Sequence, residues 1–465
     1  MAESLVLIGG GLAGSLLSIY LAKRGFHVDI YERRPDMRTT MISAGRSINL
    51  ALSARGLHAL KDVALYDDVM KIAVPMKGRM IHSTDRRLTF QRYGRDDTEV
   101  IYATSRAQLN MALLDAAERH PQVKIHFKQR CTGMDLDSRD VYLQDETTGK
   151  STAVRGKTVI GTDGSASPLR MEMQKVGCFN LIQSYLEYGY KELMIPPGPN
   201  DEFLIEKNAL HIWPRTTYML IALPNIDGSF TCTFFFPFEG DVSFESLNTP
   251  EKVLGFFKQQ FPDAVPLMPT LTDDFFSNPT GAMVTIKCTP WHVEDKVALL
   301  GDAAHAIVPF FGQGMNCAFE DCTILDEIIG RSAKVRPAVR DETSSVGWAE
   351  GRMDWAATYT EYEHLRKVNT DAIADLAVEN FVEMRDLVAQ PKFQLKKKIE
   401  QALQAKWPDR FIPKYSMVTF HRIPYSIALN KGRIQDRILD ELSRGIDHVE
   451  DINWNKAEQL VNELQ

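Results

Sequence analysis

The beginning of the chain alternates short, continuously apolar runs with a stretch whose apolar positions recur at helical spacing. Residues 5–8 are apolar throughout, the helical pattern ends near Arg24, and a second short run, HVDIY, covers 27–31. Short apolar runs of this kind are typical of strands that a parallel sheet buries on both faces. The order predicts a strand, a helix and a second strand, which is the opening unit of an α/β domain.

The same alternation of short apolar runs and helical stretches continues to about residue 180, and it occurs again near residue 296. A helix is predicted to start near Ser53 and another to cover 106–119, and VKIHFKQ, DVYLQD and KTVIG have the pattern of strands. The run KVALLGD at 296–302 is again of the buried parallel type, and a long helix, GMNCAFEDCTILDEII, follows it. We therefore predict that the α/β domain is discontinuous.

Two further regions have different patterns. YMLIAL and SFTCTFFF, between about 180 and 290, are rich in β-branched and aromatic residues, which favours a sheet. Because neighbouring strand residues point to opposite faces, one of the aromatic residues at 234–236 can face a ligand while its neighbours pack in a core. Beyond 350 the apolar positions have helical spacing. The predicted division is an α/β domain of 1–70, 100–180 and 285–350, a sheet-based domain of 71–99 and 181–284, and a helical region of 351–465.

The composition is that of a globular protein and excludes several kinds of partner. The 465 residues are 44% hydrophobic and 25% charged, with a net charge of −7 and no long basic run. Neither a nucleic acid nor an anionic membrane surface is therefore expected to bind. The six cysteines include no CxxC pair, so the sequence predicts no metal site and no disulfide framework.

The start of the chain and the length of its apolar runs indicate in which cellular compartment the protein is expected. No apolar run approaches the length that spans a bilayer, and the chain opens on a strand that leaves no room for a signal peptide. We expect a soluble protein of the reducing cytoplasm. A homodimer is one assembly that the sequence leaves open.

The turn after the first strand carries the first candidate chemistry. Gly9, Gly11 and Gly14 form a GxGxxG motif, and Glu32 ends the second strand 18 positions after Gly14. The first glycine permits the tight turn, the second lets the backbone approach a pyrophosphate, and the third lets the helix pack closely on the strand. The helix N-terminus offers N–H groups to the phosphates, and a carboxylate at Glu32 can accept hydrogen bonds from ribose hydroxyls. The sequence therefore predicts a Rossmann-type adenine dinucleotide site.

Two later motifs favour a flavin over a nicotinamide as the resident dinucleotide. GTDG at 161–164 and GDAAH at 301–305 each place an Asp just past a buried strand. Asp302 can accept a hydrogen bond from a ribityl hydroxyl, which only a flavin carries. The glycine-rich segment 308–316 offers backbone N–H groups and a helix N-terminus near the flavin pyrimidine.

Together these motifs resemble the flavin-dependent aromatic hydroxylases. GxGxxG at 9–14, the Asp-Gly turn at 161–164 and GDAAHAIVPFFGQGMN at 301–316 occur in the order of that family, and the likeness extends to about residue 370. GRSINLALSARG, YGRDDTEVIY, NALHIWPR and RFIPKYSMVTFHRIPY are similar to one branch, which hydroxylates an aminobenzoyl amino acid. The resemblance implies an α/β fold: a Rossmann-type FAD-binding domain with an inserted β-sheet substrate domain, and a C-terminal helical region over the active site.

The resemblance also implies which residues would contact FAD. Glu32 and Arg33 would hold the adenosine end, Arg106 would approach the pyrophosphate, Asp302 would bind the ribityl chain, and 312–316 would edge the isoalloxazine ring. The full implied set is Gly9, Gly11, Ala13, Gly14, Glu32, Arg33, Arg46, Arg106, Asp302, Gly312, Gln313, Gly314, Met315 and Asn316.

For the substrate, the resemblance implies residues that bind its carboxylate and other residues that lie over its reacting ring. Arg79 in GRMIH matches the arginine that binds the substrate carboxylate, because a guanidinium forks onto two oxygens, and Tyr93 matches its partner. Pro309 and Phe310 would lie over the reacting ring as the catalytic segment. The implied substrate contacts are Arg79, Tyr93, Asn380, Glu383, Met384 and Tyr415.

The implied reaction uses NADPH to reduce FAD, and the reduced flavin reacts with O2 to give a C4a-hydroperoxide that hydroxylates the ring. NADPH would be a transient co-substrate, since the one GxGxxG motif would hold FAD. Phe311 stands where some members of the family have a histidine, so no proton relay is predicted there. We interpret His305, Asp96 and Asp97 as structural. The membrane anchor of the mitochondrial members has no counterpart, which favours either a soluble bacterial-type enzyme or a chain from which an anchor has been removed.

Two alternatives stay open at this point. A related flavin hydroxylase that acts on a phenol would have the same fold with other pocket residues. A flavin reductase, or a flavoprotein whose helical region 351–465 binds partners, would not hydroxylate an aromatic ring. A flavin-dependent halogenase fits less well, because the WxWxIP motif is missing.

Overall fold

The computed structural model describes residues 3–39, 49–335, 353–388 and 390–464. Nineteen strands occur in these ranges: β1 (Ser4–Ile8), β2 (His27–Glu32), β3 (Asn49–Leu52), β4 (Ala73–Met76), β5 (Gly78–His82), β6 (Leu88–Arg92), β7 (Ile101–Ser105), β8 (Val123–Phe127), β9 (Gln129–Met134), β10 (Val141–Asp145), β11 (Ser151–Val154), β12 (Val159–Gly161), β13 (Asn180–Ile195), β14 (Ala209–Pro214), β15 (Met219–Pro224), β16 (Phe230–Pro237), β17 (Gly281–Thr289), β18 (His292–Val293) and β19 (Val297–Leu299).

The described ranges also contain fourteen α-helices: α1 (Leu12–Lys23), α2 (Ala54–Asp62), α3 (Tyr66–Met70), α4 (Arg106–Glu118), α5 (Pro168–Met173), α6 (Pro250–Gln260), α7 (Leu271–Ser277), α8 (Asp302–His305), α9 (Gly314–Val335), α10 (Trp355–Val382), α11 (Pro391–Lys406), α12 (Lys414–Thr419), α13 (Tyr425–Leu442) and α14 (Trp454–Val461).

A six-stranded sheet, in the order β18-β19-β12-β1-β2-β8, forms the centre of the α/β unit. All its pairs are parallel except β18–β19, and β1 lies in the middle with Leu5 to Ile8 buried. Helix α1 packs against α4 and α9, which covers the apolar strands. The chain reaches β19 only after the second sheet, so this unit is discontinuous, and the predicted α/β fold class is confirmed.

The second large sheet has seven strands, in the order β17-β13-β16-β15-β14-β5-β6. Its pairs are antiparallel except β14–β5. Alternation along β16 divides its side chains between two cores. Phe234 and Phe236 pack with Phe257 and Phe261 beneath α6 and α7, whereas Phe235 belongs to the core on the other face. That second face is the one that meets the α/β unit and the C-terminal helices.

Two three-stranded sheets complete the α/β side of the molecule, β11-β10-β9 and β3-β7-β4. The short strand β4 lies within 71–99 but pairs with β7, while β5 and β6 join the seven-stranded sheet. The chain therefore passes from one sheet to the other at Lys77, between β4 and β5. The domain division read from the sequence stays a prediction.

The long helix α10 connects the two sides. Its first turns carry Trp355, Tyr359 and Tyr362 into the core of the α/β unit, and its last turn reaches the apolar core of the second sheet at Phe381. A π-helical turn, Glu383–Leu387, follows it. Helices α11, α13 and α14 then pack around a small core of their own, which includes Leu403. No helix in the described ranges combines the length and the apolar character that crossing a bilayer requires.

Candidate cofactor groove and adjoining cavity

A groove runs past the carboxyl ends of β1, β2 and β12, where ligands of open α/β sheets bind. The groove has a volume of about 590 Å³, which lies within the range of sites that bind small molecules and cofactors. The lining comprises Ile8, Gly9, Gly11, Tyr31, Glu32, Arg33, Arg34, Arg106, Gln129, Arg130, Cys131, Thr132, Thr162, Asp163, Gly164, Ser165, Ala166, Pro168, Met171 and Asp302.

The three glycines of the first turn have different surroundings. A Cβ on Gly14 would lie 2.0 Å from the carbonyl oxygen of Gly9, and a Cβ on Gly9, where φ is +106°, would lie 2.5 Å from the carbonyl oxygen of Thr162. These two positions require glycine because helix, turn and strand approach closely. A Cβ on Gly11 would have Arg34 Nη2, at 3.9 Å, as its nearest neighbour. Gly11 therefore keeps space open on the groove itself. Ala13 points toward Gly301 and is not among the lining residues.

Glu32 sits at the end of β2 and is held before any ligand arrives. Its Oε2 accepts a hydrogen bond of 2.8 Å from the N–H of Gly10, and its Oε1 accepts two of 2.9 Å from Arg34. Burial alone would raise the pKa of Glu32, but the hydrogen bonds and charge of Arg34 outweigh burial and hold that pKa below its usual range. Arg33 also lines the groove. Arg34 was not predicted, since only the folded turn brings its side chain back to Glu32.

Acceptors for hydroxyl groups lie at the other strand ends. Asp302 begins α8, directly after Gly301 with its φ of +65°, and lines the groove. The carboxylate oxygens of Asp163 are buried beside the groove. Burial raises the pKa of Asp163 to about 6, against the smaller effect of hydrogen bonds from Ser167 and the backbone of Leu169.

Basic side chains complete the groove. Arg33, Arg34, Arg106 and Arg130 lie on its walls and can face phosphates. Arg46, which the resemblance also implied, lies outside the described residues.

A short turn, Pro309–Phe311, separates Asp302 from the long helix α9. Gly312 follows it with a φ of +62° and lines the adjoining cavity. The next polar residues hold the turn in place: Gln313 accepts a hydrogen bond of 2.8 Å from the hydroxyl of Tyr425, and Asn316 Nδ2 donates one of 2.8 Å to the carbonyl oxygen of Gly312. Gly314 and Met315 are the first residues of α9, and Met315 is buried. Within the segment 312–316, Gly312 therefore lies at the cavity surface, whereas the side-chain amides of Gln313 and Asn316 stabilise the turn.

The adjoining cavity, which we call the apolar cavity, lies between the seven-stranded sheet, the small sheet and this turn. Its lining comprises Asn49, Ala51, Met76, Arg79, Tyr93, Ile101, Leu210, Ile221, Leu223, Thr233, Phe235, Pro309, Phe310, Phe311, Gly312, Met384 and Tyr415. Phe235 is the residue of 234–236 that faces the cavity. The aliphatic residues of β14 and β15 were not predicted, because the sequence does not identify which face of a strand meets a ligand.

One cation stands in this lining. The Arg79 side chain is 8% exposed, and its Nη1 lies 3.2 Å from Glu383 Oε1. Tyr93 and Tyr415 stack with ring centroids 5.1 Å apart, and the guanidinium carbon lies 5.6 Å and 5.3 Å from their centres. Within the described residues Arg79 Nε has no hydrogen-bond partner. The cluster thus holds a buried guanidinium with a donor available to an anion.

Three predicted substrate residues lie at the end of α10 and on the π-helical turn after it. Met384 lines the apolar cavity, whereas Glu383 lines a second cavity described below. Asn380 is 5% exposed and lies outside the lining of both, with its Nδ2 2.6 Å from the carbonyl oxygen of Phe310. Asn380 therefore supports the turn over the cavity.

The residues interpreted as structural lie apart from these cavities. His305 is buried, with Nε2 2.7 Å from Asp321 Oδ2, and Asp96 and Asp97 are exposed in a loop. His305, Cys317 and Asp321 present potential metal ligands within 4.8 Å of one another. The Arg366 guanidinium, however, lies 2.7 Å from Asp321 Oδ1 and already supplies a cation to that carboxylate.

The comparisons with known proteins agree with this geometry. A family model described as FAD binding domain matches residues 2–219 and 246–334. The chain is 50% identical over 459 residues to the kynurenine 3-monooxygenase of Myxococcus xanthus (strain DK1622), which covers 99% of this chain and 95% of that relative. It is 46% identical over 466 residues to the kynurenine 3-monooxygenase of Dictyostelium discoideum, with 99% and 97% covered. Among solved structures, the tetrameric form of 2-methyl-3-hydroxypyridine-5-carboxylic acid oxygenase matches with a TM-score of 0.62 at 19% identity, over 87% of this chain and 98% of that one, a likeness of fold alone.

Proposed function

This chain belongs to the kynurenine 3-monooxygenase family of FAD-binding enzymes, and we propose that it hydroxylates L-kynurenine to 3-hydroxy-L-kynurenine with NADPH and O2. The supporting observation is the composition of the apolar cavity. Its walls are aliphatic and aromatic, and its buried cation is Arg79. L-kynurenine has the matching division, an aminobenzoyl ring at one end and an α-amino acid at the other.

The groove supports FAD as the resident cofactor. Gly11 lets the backbone approach a pyrophosphate, Gly9 and Gly14 allow the tight turn that carries it, and Arg106 offers charge to the phosphates. Asp302 and Asp163 offer acceptors to ribityl and ribose hydroxyls. The chemistry that bound FAD supplies is uptake of electrons from NADPH and transfer of one oxygen atom from O2 to the aromatic ring.

We propose that Arg79 binds the substrate carboxylate and thereby fixes the distance of the ring from the turn Pro309–Phe311. The free Nε of Arg79 can donate to one carboxylate oxygen while a second N–H donates to the other. Tyr93 and Tyr415 flank the guanidinium and hold its plane. Binding energy at the amino-acid end then positions the ring, which is the reacting part.

The apolar residues have a second role, which is to keep water from the reacting atoms. Phe235, Phe310 and Leu210 are each less than 10% exposed and line the same cavity. Exclusion of water suppresses wasteful loss of the activated oxygen as H2O2. The amino group of the substrate itself activates the ring toward oxygen transfer, so the proposal requires no strong protein base.

The experiment follows NADPH absorbance at 340 nm in the purified yellow protein, with and without L-kynurenine, and identifies the product by mass. Stimulated oxidation with a product one oxygen heavier, hydroxylated at the 3-position, is expected. Stimulation that yields only H2O2 would mean that L-kynurenine is an effector and that another aromatic, such as a phenol, is the substrate. Absence of stimulation would favour a flavin reductase or a partner-binding flavoprotein.

We also propose that the enzyme works in the cytoplasm as a homodimer or a monomer. The six cysteines carry free thiols, which suits a reducing compartment. Light scattering on the FAD-loaded protein distinguishes the two assemblies.

A further inference from the structure

A second cavity, which we call the charged cavity, adjoins the apolar cavity at Arg79. Arg79, Tyr93 and Tyr415 line both cavities, so they form the shared wall. Two charged residues of α11, Lys397 and Glu400, line the charged cavity and are absent from the lining of the apolar one. A ligand whose amino-acid end reaches Arg79 is therefore close to the charges of Lys397 and Glu400, although these two residues lie outside the cavity that would hold its ring.

The charges around this wall are paired and sum to zero. Arg79 pairs with Glu383 at 3.2 Å, and Lys397 Nζ lies 3.2 Å from Glu400 Oε2. Arg92, which also lines the charged cavity, shares Asp97 with Lys77. Lys414, which acts on Glu383 through its charge, lies 2.9 Å from Asp436 and 3.9 Å from Glu379. The set therefore contains as many cations as carboxylates.

Lys397 and Glu383, the carboxylate that pairs with Arg79, line the same cavity, and Lys397 acts on Glu383 through its charge. Burial alone would raise the pKa of Glu383, but the charge of Lys397, followed by that of Arg79, outweighs burial and holds this pKa below its usual range. The reverse holds for Lys397, since burial would lower its pKa and the charges of Glu400 and Glu383 keep it raised. The ammonium of Lys397 thus stabilises Glu383 as an anion beside Arg79.

We infer that Lys397 is a specificity-determining residue, which selects a zwitterionic α-amino acid by keeping the charges around Arg79 balanced. This inference rests on the proposed function. A zwitterion adds one positive and one negative charge and leaves the balance at zero. A ligand with only the ammonium or only the carboxylate adds a net charge to a balanced set that is buried at Arg79 and partly buried at Lys397, where Coulomb interactions are stronger than in water.

The test compares three ligands on the FAD-loaded protein by titrating the change in flavin absorbance. The ligands are L-kynurenine, the amine left by its decarboxylation and the acid left by its deamination. In Lys397→Gln the wall carries a net negative charge. We expect the amine to bind about tenfold more tightly than to the wild type and the acid about tenfold more weakly, with L-kynurenine within about threefold.

Three controls accompany the variant. Lys398→Gln removes the same charge from an exposed neighbour on α11 and should leave all three affinities unchanged. Lys397→Arg retains the charge and should restore the wild-type order of affinities. FAD content and the melting temperature show that each variant is folded.

A shift of amine and acid affinities in the same direction, or no shift, would overturn the inference, because a lost packing contact acts on both ligands alike. If Lys397→Gln did not fold, Lys397→Met would take its place in the same titrations. The inference would then be overturned if Lys397→Met bound both the amine and the acid with the affinities of the wild type. Failure of the proposed function would be recognised separately, because the wild type itself would then not bind L-kynurenine.

Discussion

The side-chain amide of Asn380 donates a hydrogen bond of 2.6 Å from Nδ2 to the backbone carbonyl oxygen of Phe310. This contact joins the last turn of α10 to the turn that lies over the apolar cavity. The C-terminal helical region therefore fixes the position of Phe310 in the wall of the apolar cavity.

Replacement of Asn380 by Ala should leave the turn less firmly held. We expect the share of NADPH oxidation that ends in H2O2 to rise about fivefold, the factor that roughly 1 kcal/mol of a lost hydrogen bond provides. Product and peroxide are measured in the same reaction, and Glu379→Ala, one position earlier on an exposed site, is the control. Weaker binding of L-kynurenine at an unchanged peroxide share would instead indicate direct contact of Asn380 with the substrate.

Replacement of Arg79 by Ala should weaken binding of L-kynurenine by roughly 1.5–3 kcal/mol, the range for a hydrogen bond to a charged group. The variant also leaves Glu383 without its 3.2 Å partner, which adds repulsion toward the substrate carboxylate. Arg87, exposed on the turn between β5 and β6, provides the matched control in Arg87→Ala. An unchanged Kd would remove Arg79 from the substrate site.

Gly11→Ala separates cofactor binding from folding. The nearest atom to a Cβ at this position is 3.9 Å away, and φ is −75°, so alanine is accommodated in the protein itself. The added methyl enters the groove, and we expect loss of FAD from the purified protein with an unchanged melting temperature of the FAD-free form. Gly255→Ala, in open space on α6, should keep FAD and gain up to about 1 kcal/mol of stability. Full FAD occupancy of Gly11→Ala would show that the pyrophosphate lies elsewhere.

A buried chain of His82, His211 and Asp263 lies on the face of the seven-stranded sheet away from the apolar cavity. His82 Nδ1 is 2.6 Å from Asp263 Oδ2, and His82 Nε2 is 2.9 Å from His211 Nδ1. The Nε2 of His211 donates to the carbonyl oxygen of Glu206 at 2.8 Å. When His211 is neutral, its Nδ1 is therefore the acceptor for a hydrogen bond from His82. Burial, with a smaller effect from the charge of His82, lowers the pKa of His211 to about 4.

This lowered pKa makes stability depend on pH in a defined window. The unfolded chain binds a proton at His211 near pH 6.5 and the folded chain only near pH 4, so stability is lost as the pH falls between these values. By pH 5 the loss is about 2 kcal/mol. Urea unfolding at pH 7.5 and pH 5 should show this difference in the wild type and in His448→Gln, which alters an exposed histidine, and a smaller one in His211→Gln. An equal pH dependence in all three proteins would contradict the assignment.

The amino-acid sequence by itself determined the parts of this protein that depend on local physics. The apolar runs around Gly9 and Gly14 could form only a buried strand and a tightly packed helix, and Asp302 had to follow a parallel strand at the ligand-binding edge. Motifs of this kind are readable because a turn requires glycine and a strand end requires a polar residue at fixed spacing.

Only the tertiary structure decided the environment of the substrate end. Arg79 and Glu383 are 304 positions apart, and no local pattern indicates that they pair or that Lys397 lies on the same wall. Likewise, the alternation along β16 predicted that neighbouring phenylalanines diverge, but the packing of the two sheets decided that Phe235 faces the cavity. Charge and shape at such a site are properties of side chains brought together from distant segments, so they are fixed only when those segments pack.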